Sequence, residues 1–93
     1  MKATAKKQLQ GFIGTLEEMK SKIEDIKSST EDIHSETESD FDSKSEKWQE
    51  GEKGEAERSR IDSLENLNSS LDDIISTMEN AISELEEISS DNE

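Results

Sequence analysis

The chain has 93 residues, a formal net charge of -14 and 27% hydrophobic residues, so it can form at most one small domain. Leu, Ile and Phe account for 17 of the 93 residues and Val is absent, a composition typical of disordered chains, so any fold depends on how these few residues are spaced. The absence of Cys excludes disulfides, thiolate metal sites and a Cys nucleophile. No apolar run exceeds two residues, and we therefore expect a soluble, cytoplasmic protein without a membrane span or a classical export signal.

The first fourteen residues differ in charge from the rest of the chain. Residues 1–14 contain three Lys and no acid, and Gly11 and Gly14 flank the apolar pair Phe12 and Ile13. Each Gly costs a helix interior about 1 kcal/mol relative to Ala. This pattern predicts a separate basic N-terminal segment that ends in a hinge.

A first helix is predicted over about residues 15–48. Thr15 and Glu18 have the spacing of a capping box, so the helix is expected to begin at Thr15. Residues at alternating steps of three and four then form a heptad seam: Leu16, Met19, Ile23, Ile26, Thr30 and Ile33. The steps then lengthen to four, and this stutter, together with many Ser and Asp residues, predicts fraying or a loop over residues 34–47.

Gly51 and Gly54 mark a predicted turn over about residues 50–55, because Gly can take the left-handed conformation that ends a helix. A second helix is predicted over about residues 56–89. Its seam comprises Leu64, Leu67, Leu71, Ile74, Met78, Ala81, Leu85 and Ile88, and it is widened by Ile61, Ile75 and Ile82. Three apolar positions per heptad offer more surface than one partner helix covers.

The predicted fold is therefore all-α: an antiparallel, coiled-coil-like helical hairpin of residues 15–93 that dimerises into a four-helix bundle. Centring the turn between residues 52 and 53 pairs Met19 with Leu85 and Ile33 with Leu71. The expected core of the homodimer is Leu64, Leu71, Ile74, Ile75, Met78, Ile82 and Leu85. A helix of another protein in the same groove is the alternative.

No residue pattern indicates catalysis, a cofactor or a metal site. His34 is the only His, and no nucleophile or second base can be assigned to it. A run that starts at Asp40 has the outline of a calcium loop, but Ser45 stands where Gly is required and Gly51 where the bidentate Glu is required. We therefore predict a protein without enzymatic activity.

Trp48, the only Trp, lies at the edge of the predicted turn among several Lys residues. Two roles are open to it. It could pack as a plug at the closed end of the hairpin, or it could anchor a partner protein, a role in which Trp is enriched.

The stretch S-E-K-W-Q-E-G-E-K-G-E, residues 45–55, followed by an acidic heptad repeat, resembles a motif in small acidic helical proteins of phages and prophages. The resemblance implies the cytoplasm of a bacterial host and brings no established activity with it. A looser similarity is to secreted helical hairpins that have W-x-G at their turn. This chain departs from them, since it has W-Q-E-G and no Tyr for a C-terminal export motif.

Negative charge is concentrated in the second helix, because residues 61–93 contain ten acids and no base. This excludes direct binding to nucleic acid and predicts a protein-binding module. One hypothesis is a phage-type inhibitor whose acidic face mimics nucleic acid on a basic DNA- or RNA-binding protein. The residues of that face are Asp62, Glu65, Asp72, Asp73, Glu79 and Glu86. The alternative hypothesis is a scaffold coiled coil that binds through its apolar stripe, through Trp48 or through the basic N-terminal segment.

Overall fold

The computed structural model describes residues 1–90, and this part of the chain contains no strand. Helix α1 covers Ala3–Ser43, the short helix α2 covers Glu46–Glu50, and helix α3 covers Glu52–Ser89. The two long helices pack against each other and form a rod with extents of 69 × 14 × 13 Å. The predicted all-α helical hairpin is confirmed, while the last three residues of the predicted hairpin domain lie outside the described residues.

Helix α1 begins at Ala3 and not at Thr15. Gly11 and Gly14 lie inside it without a positive φ, and a Cβ at either position would meet nothing within 4 Å. The Thr15 hydroxyl caps no helix and instead donates to the carbonyl oxygen of Gly11 at 3.1 Å. The predicted hinge and helix start were therefore wrong. Tertiary packing outweighs the free-energy cost of two Gly residues in a helix interior, because seam residues on both sides of them pack toward α3.

The side chains between α1 and α3 form the hairpin seam, which occupies the a and d positions of a heptad repeat. The seam residues of α1 from Leu9 onward are all half-buried or buried: Leu9, Ile13, Leu16, Lys20, Ile23, Lys27, Thr30, His34, Thr37 and Phe41. Those of α3 from Glu57 onward are Glu57, Ile61, Leu64, Asn68, Leu71, Ile75, Met78, Ile82, Leu85 and Ser89. Steps of three and four continue to the end of both lists, so α1 has no stutter and stays helical to Ser43. The predicted loop within residues 34–47 is limited to the two residues between α1 and α2.

The observed seam of α1 differs from the predicted one in every heptad. Met19, Ile26 and Ile33 were expected to face α3, but they are 45%, 51% and 49% exposed. The basic residues that follow each of them, at positions 20, 27 and 34, occupy the seam instead. A long basic side chain can lay its apolar stem along a neighbouring helix and keep its charge in water, so composition alone does not keep it out of a seam.

Polar contacts across the hairpin define the register of α1 against α3. Lys20 forms an ion pair with Glu79, Lys27 forms one with Asp72, and His34 Nε2 hydrogen-bonds with Glu65. The residue numbers in each pair add to 99, whereas the predicted turn gave partners that add to about 105. The difference is close to one heptad, and a shift of one heptad still places apolar residues opposite apolar residues. Periodicity alone therefore could not select the register.

The chain reverses through α2, and Gly54 provides the space for this crossing. A Cβ at Gly54 would lie 2.5 Å from the carbonyl oxygen of Trp48 and closer still to the carbonyl group of Gln49. Gly51 separates α2 from α3 in an extended conformation, with φ -80° and ψ -179°, and no described residue has a positive φ. The left-handed conformation predicted for these glycines was wrong, because the turn uses Gly54 for its small size.

Side chains of the turn motif hold α2 in place. The Ser45 hydroxyl accepts the backbone N–H of Trp48 at 3.3 Å and caps α2. The Gln49 amide donates to the carbonyl oxygens of Phe41 and Lys44 at 2.9 Å and 3.1 Å, which satisfies the last turn of α1. The Trp48 ring packs edge to face against the Phe41 ring, with centroids 6.2 Å apart. The Lys44 ammonium lies 5.5 Å from the centre of the Trp48 ring. Trp48 thus packs at the closed end of the hairpin, and its partner-binding role stays a prediction.

Candidate helix-docking surface

A row of apolar side chains is exposed on each long helix, at the g position of four consecutive heptads, directly before a seam residue in the chain. We call these eight residues the docking strip: Phe12, Met19, Ile26 and Ile33 on α1, and Leu67, Ile74, Ala81 and Ile88 on α3. Ala81 is half-buried, and the other seven are between 41% and 54% exposed. Single exposed apolar residues are ordinary on a protein surface, but a continuous apolar patch marks an interaction site.

Both rows of the docking strip lie on the same side of the hairpin. When two helices pack antiparallel, their g positions adjoin on one side of the seam and their e positions adjoin on the other. The groove at the turn end of the strip illustrates this, because Ile33 and Leu67 both line it. Each row spans 21 residues, or about 32 Å at a rise of 1.5 Å per residue. The rows therefore form one apolar surface with equal contributions from the two helices.

The residues that border the docking strip carry little charge. They occupy the c positions, one helical turn along from the strip residues: Gln8, Thr15, Lys22, Ser29 and Glu36 on α1, and Ser63, Ser70, Thr77 and Glu84 on α3. Six of the nine are uncharged, five of them with short hydroxyl side chains, and the three charged residues sum to a net charge of -1. Small polar borders allow another helix to approach the strip closely.

The opposite side of the hairpin carries two rows of carboxylates at the e positions. They are Glu17, Glu24, Glu31 and Glu38 on α1, and Glu65, Asp72, Glu79 and Glu86 on α3. Bases of the seam reach toward them: Lys20 Nζ lies 3.6 Å from Glu79, and His34 Nε2 lies 3.2 Å from Glu65. Lys27 hydrogen-bonds with Asp72, which raises the pKa of Lys27 above its ordinary value of 10.5. The bases offset the repulsion between the two acidic rows.

All six acids predicted to bind a partner are exposed on α3 and point away from the docking strip. They are Asp62, Glu65, Asp72, Asp73, Glu79 and Glu86. Three of the six already pair with bases of α1. The predicted register did not place those basic residues opposite these acids. The sequence therefore did not reveal that half of the acidic face pairs with basic residues of the same chain.

Six of the seven residues predicted for a dimer core face α1 within the chain. They are the seam residues Leu64, Leu71, Ile75, Met78, Ile82 and Leu85. Ile74 alone belongs to the docking strip, and the other strip residues were not assigned to a partner surface. Spacing gave no signal for this assignment, because Met19, Ile26 and Ile33 also continue alternating steps of three and four with Leu16, Ile23 and Thr30.

His34, Glu38 and Glu65 bring three possible metal-ligand atoms within 4.8 Å of one another. The same arrangement occurs one heptad earlier with a base that cannot serve as such a ligand, since Lys27 lies between the acids Glu31 and Asp72. The recurrence identifies the feature as a basic seam residue that pairs with flanking acids.

None of the helices within residues 1–90 is long and apolar enough to cross a membrane. In comparisons with protein-family models, curated proteins and solved structures, no match to the chain is found. A functional assignment therefore depends on the shape and charge of the molecule, and the docking strip is its most distinctive surface.

Proposed function

We propose that this chain is a non-enzymatic protein-binding module that docks another helical surface on its strip, as a scaffold or assembly coiled coil does. The observation that carries the proposal is the row of seven half-exposed large apolar side chains on one side of the hairpin. A helix-in-groove contact uses this spacing of anchors, because one face of a docking helix repeats at the same period.

The free energy available from covering the strip is large enough for specific binding. Fully burying a Leu, Ile, Phe or Met side chain contributes roughly 1.5–3 kcal/mol. Seven side chains that are about half exposed therefore hold roughly 5–10 kcal/mol of hydrophobic free energy. Association costs several kcal/mol in lost freedom, so a complete helical partner is needed to gain from the strip, and scattered contacts would not suffice.

Nucleic-acid mimicry by the acidic side is less well supported by the geometry. The two e-position rows carry eight acids, Asp62 and Asp73 add two, and Lys20 and Lys27 reduce the net charge to -8. Over the same 32 Å this is one net charge per roughly 4 Å, whereas duplex DNA has one per roughly 1.7 Å. A basic groove shaped for DNA would therefore find this side too weakly charged.

Site-specific photo-crosslinking in the native cell tests the proposal. A photo-reactive residue at Ile26 or Ile74 samples the docking strip, and one at Ser28 or Ser76 samples the acidic side in the same two heptads. We expect covalent adducts from the strip positions and none from the Ser positions. Adducts from the Ser positions alone would contradict the proposal and support mimicry, and adducts from neither pair would contradict both functions.

A further inference from the structure

We infer that the surface that covers the docking strip is the strip of a second copy, so that two hairpins form a four-helix bundle. The inference rests on the proposed function and names the partner of the same surface.

One copy alone has a thin core. Within residues 1–90, only Phe41, Ile61 and Leu71 are buried apolar residues, each 8% exposed, and no side chain in this range is less than 2% exposed. Two helices cannot enclose a residue from all sides, whereas the centre of a four-helix bundle can. A second copy that covers the strip would also bury the seam residues that adjoin it, and it is present wherever the chain itself is made.

The carboxylate rows of each copy lie away from the strip, so two copies can pack there without bringing these like charges together. Each chain carries -14, which opposes association if the charges meet. The e-position carboxylates lie on the side away from the strip, and the strip border has a net charge of only -1. A partner helix with basic flanks would be matched by a border rich in acids. This border is nearly uncharged and rich in short hydroxyl side chains, which suits a second copy of the same chain.

The area of the strip is adequate for a dimer. Two helices, each about 10 Å wide and in contact over about 32 Å, present a face of roughly 640 Å² per copy, or roughly 1,300 Å² for the pair. Stable interfaces bury about 1,200–2,000 Å². The face is thus at the lower end of that range, which fits a dimer whose population depends on concentration.

Sedimentation equilibrium of the full chain and two matched variants tests the inference. Ile26→Glu/Ile74→Glu adds two charges to the strip, and Ser28→Glu/Ser76→Glu adds the same two charges, in the same heptads, on the acidic side. We expect the wild type and the Ser variant to have twice the chain mass of 10.5 kDa at high micromolar concentration. The Ile variant should have the mass of one chain, and circular dichroism should show that it remains helical.

A wild-type chain that stays at 10.5 kDa at every concentration would overturn the inference, and so would a dimer that both variants leave intact. In either case, crosslinks from Ile26 or Ile74 to another protein would still uphold the proposed function. If the Ile→Glu pair unfolds, Ile26→Ala/Ile74→Ala replaces it. That variant should raise the dimer dissociation constant at least tenfold with its helicity retained, and an unchanged constant would overturn the inference.

Discussion

Gly54 is the residue on which the turn depends most directly. Its missing side chain leaves room for the backbone of α2, and backbone atoms cannot move aside as the end of a flexible side chain can. Gly51 differs, because a Cβ there would make ordinary contacts of 3.5 Å with the carbonyl oxygens of Lys47 and Trp48. The turn therefore requires Gly54 for its small size, whereas a side chain at Gly51 meets no steric obstacle.

We expect Gly54→Ala to lower the free energy of unfolding by about 1–3 kcal/mol, the usual cost of forcing an extra carbon into a packed site. Gly51→Ala is the matched control and should stay within about 0.5 kcal/mol of the wild type. Urea unfolding followed by circular dichroism measures both. Trp48 fluorescence reports the turn itself, and an unchanged Gly54→Ala protein by both signals would contradict the close approach.

Lys27 provides a pH-dependent contribution to stability. Its pKa is raised by the hydrogen bond to Asp72, so its contribution is fully present below the ordinary value of 10.5 and is lost as the pH rises through the folded-state pKa above it. We expect the free energy of unfolding of the wild type to fall relative to that of Lys27→Met as the pH rises from 9 toward 12. Lys27→Arg, which stays charged over this range, should show no such loss. A difference between wild type and Lys27→Met that is constant with pH would contradict the ion pair.

At the scale of the two long helices, polar layers interrupt the apolar seam. Thr30 and Asn68 face each other across the hairpin, and the Thr30 hydroxyl hydrogen-bonds with the Asn68 side-chain oxygen. A part-buried polar group is costly when it loses its partner, whereas replacing both members by apolar groups is close to neutral. Such a layer favours the observed register, because a shift by one heptad would separate the two residues.

We expect Thr30→Val to cost about 1 kcal/mol, because it leaves the Asn68 side chain without its hydrogen bond. The double variant Thr30→Val/Asn68→Leu should be as stable as the wild type or more so. Thermal or urea unfolding of the wild type, both single variants and the double variant completes a double-mutant cycle. Strictly additive losses would show that the two residues do not interact.

At the scale of the whole molecule, apolar and acidic residues are sorted onto opposite sides of a rod. Because of this distribution, ionic strength has opposite effects on self-association through the strip and on binding of a basic protein to the acidic side. Two copies that each carry -14 repel at low salt, and screening removes that repulsion without weakening apolar contacts. A complex between the acidic side and a basic protein is instead weakened by salt.

We expect the dissociation constant of the dimer to fall severalfold between about 50 and 500 mM salt, as the Debye length shortens toward the size of a single contact. Sedimentation at a fixed chain concentration measures it. The Ser28→Glu/Ser76→Glu dimer carries more charge and should respond more steeply. A dimer that dissociates on addition of salt would indicate that ion pairs, and not the strip, hold it together.

The class of the fold follows from the amino-acid sequence alone. Heptad spacing in both halves, the absence of Pro and the paired glycines between the halves are sufficient for two long antiparallel helices. Sequence also determined that more apolar surface exists than a hairpin covers, since three positions per heptad exceed the two that a seam uses. These are local and periodic properties, and they do not depend on which residue meets which.

Which apolar residues remain uncovered depends on how the two long helices pack against each other. Two registers one heptad apart satisfy the same apolar pattern, and in the observed register Lys20, Lys27 and His34 contact acids of α3 and α2 crosses over Gly54. The rotation of α1 about its own axis is a separate choice, and it places those basic residues in the seam and leaves Met19, Ile26 and Ile33 on its flank. Such contacts join residues far apart in the chain, and their geometry exists only once the turn has set the two helices side by side.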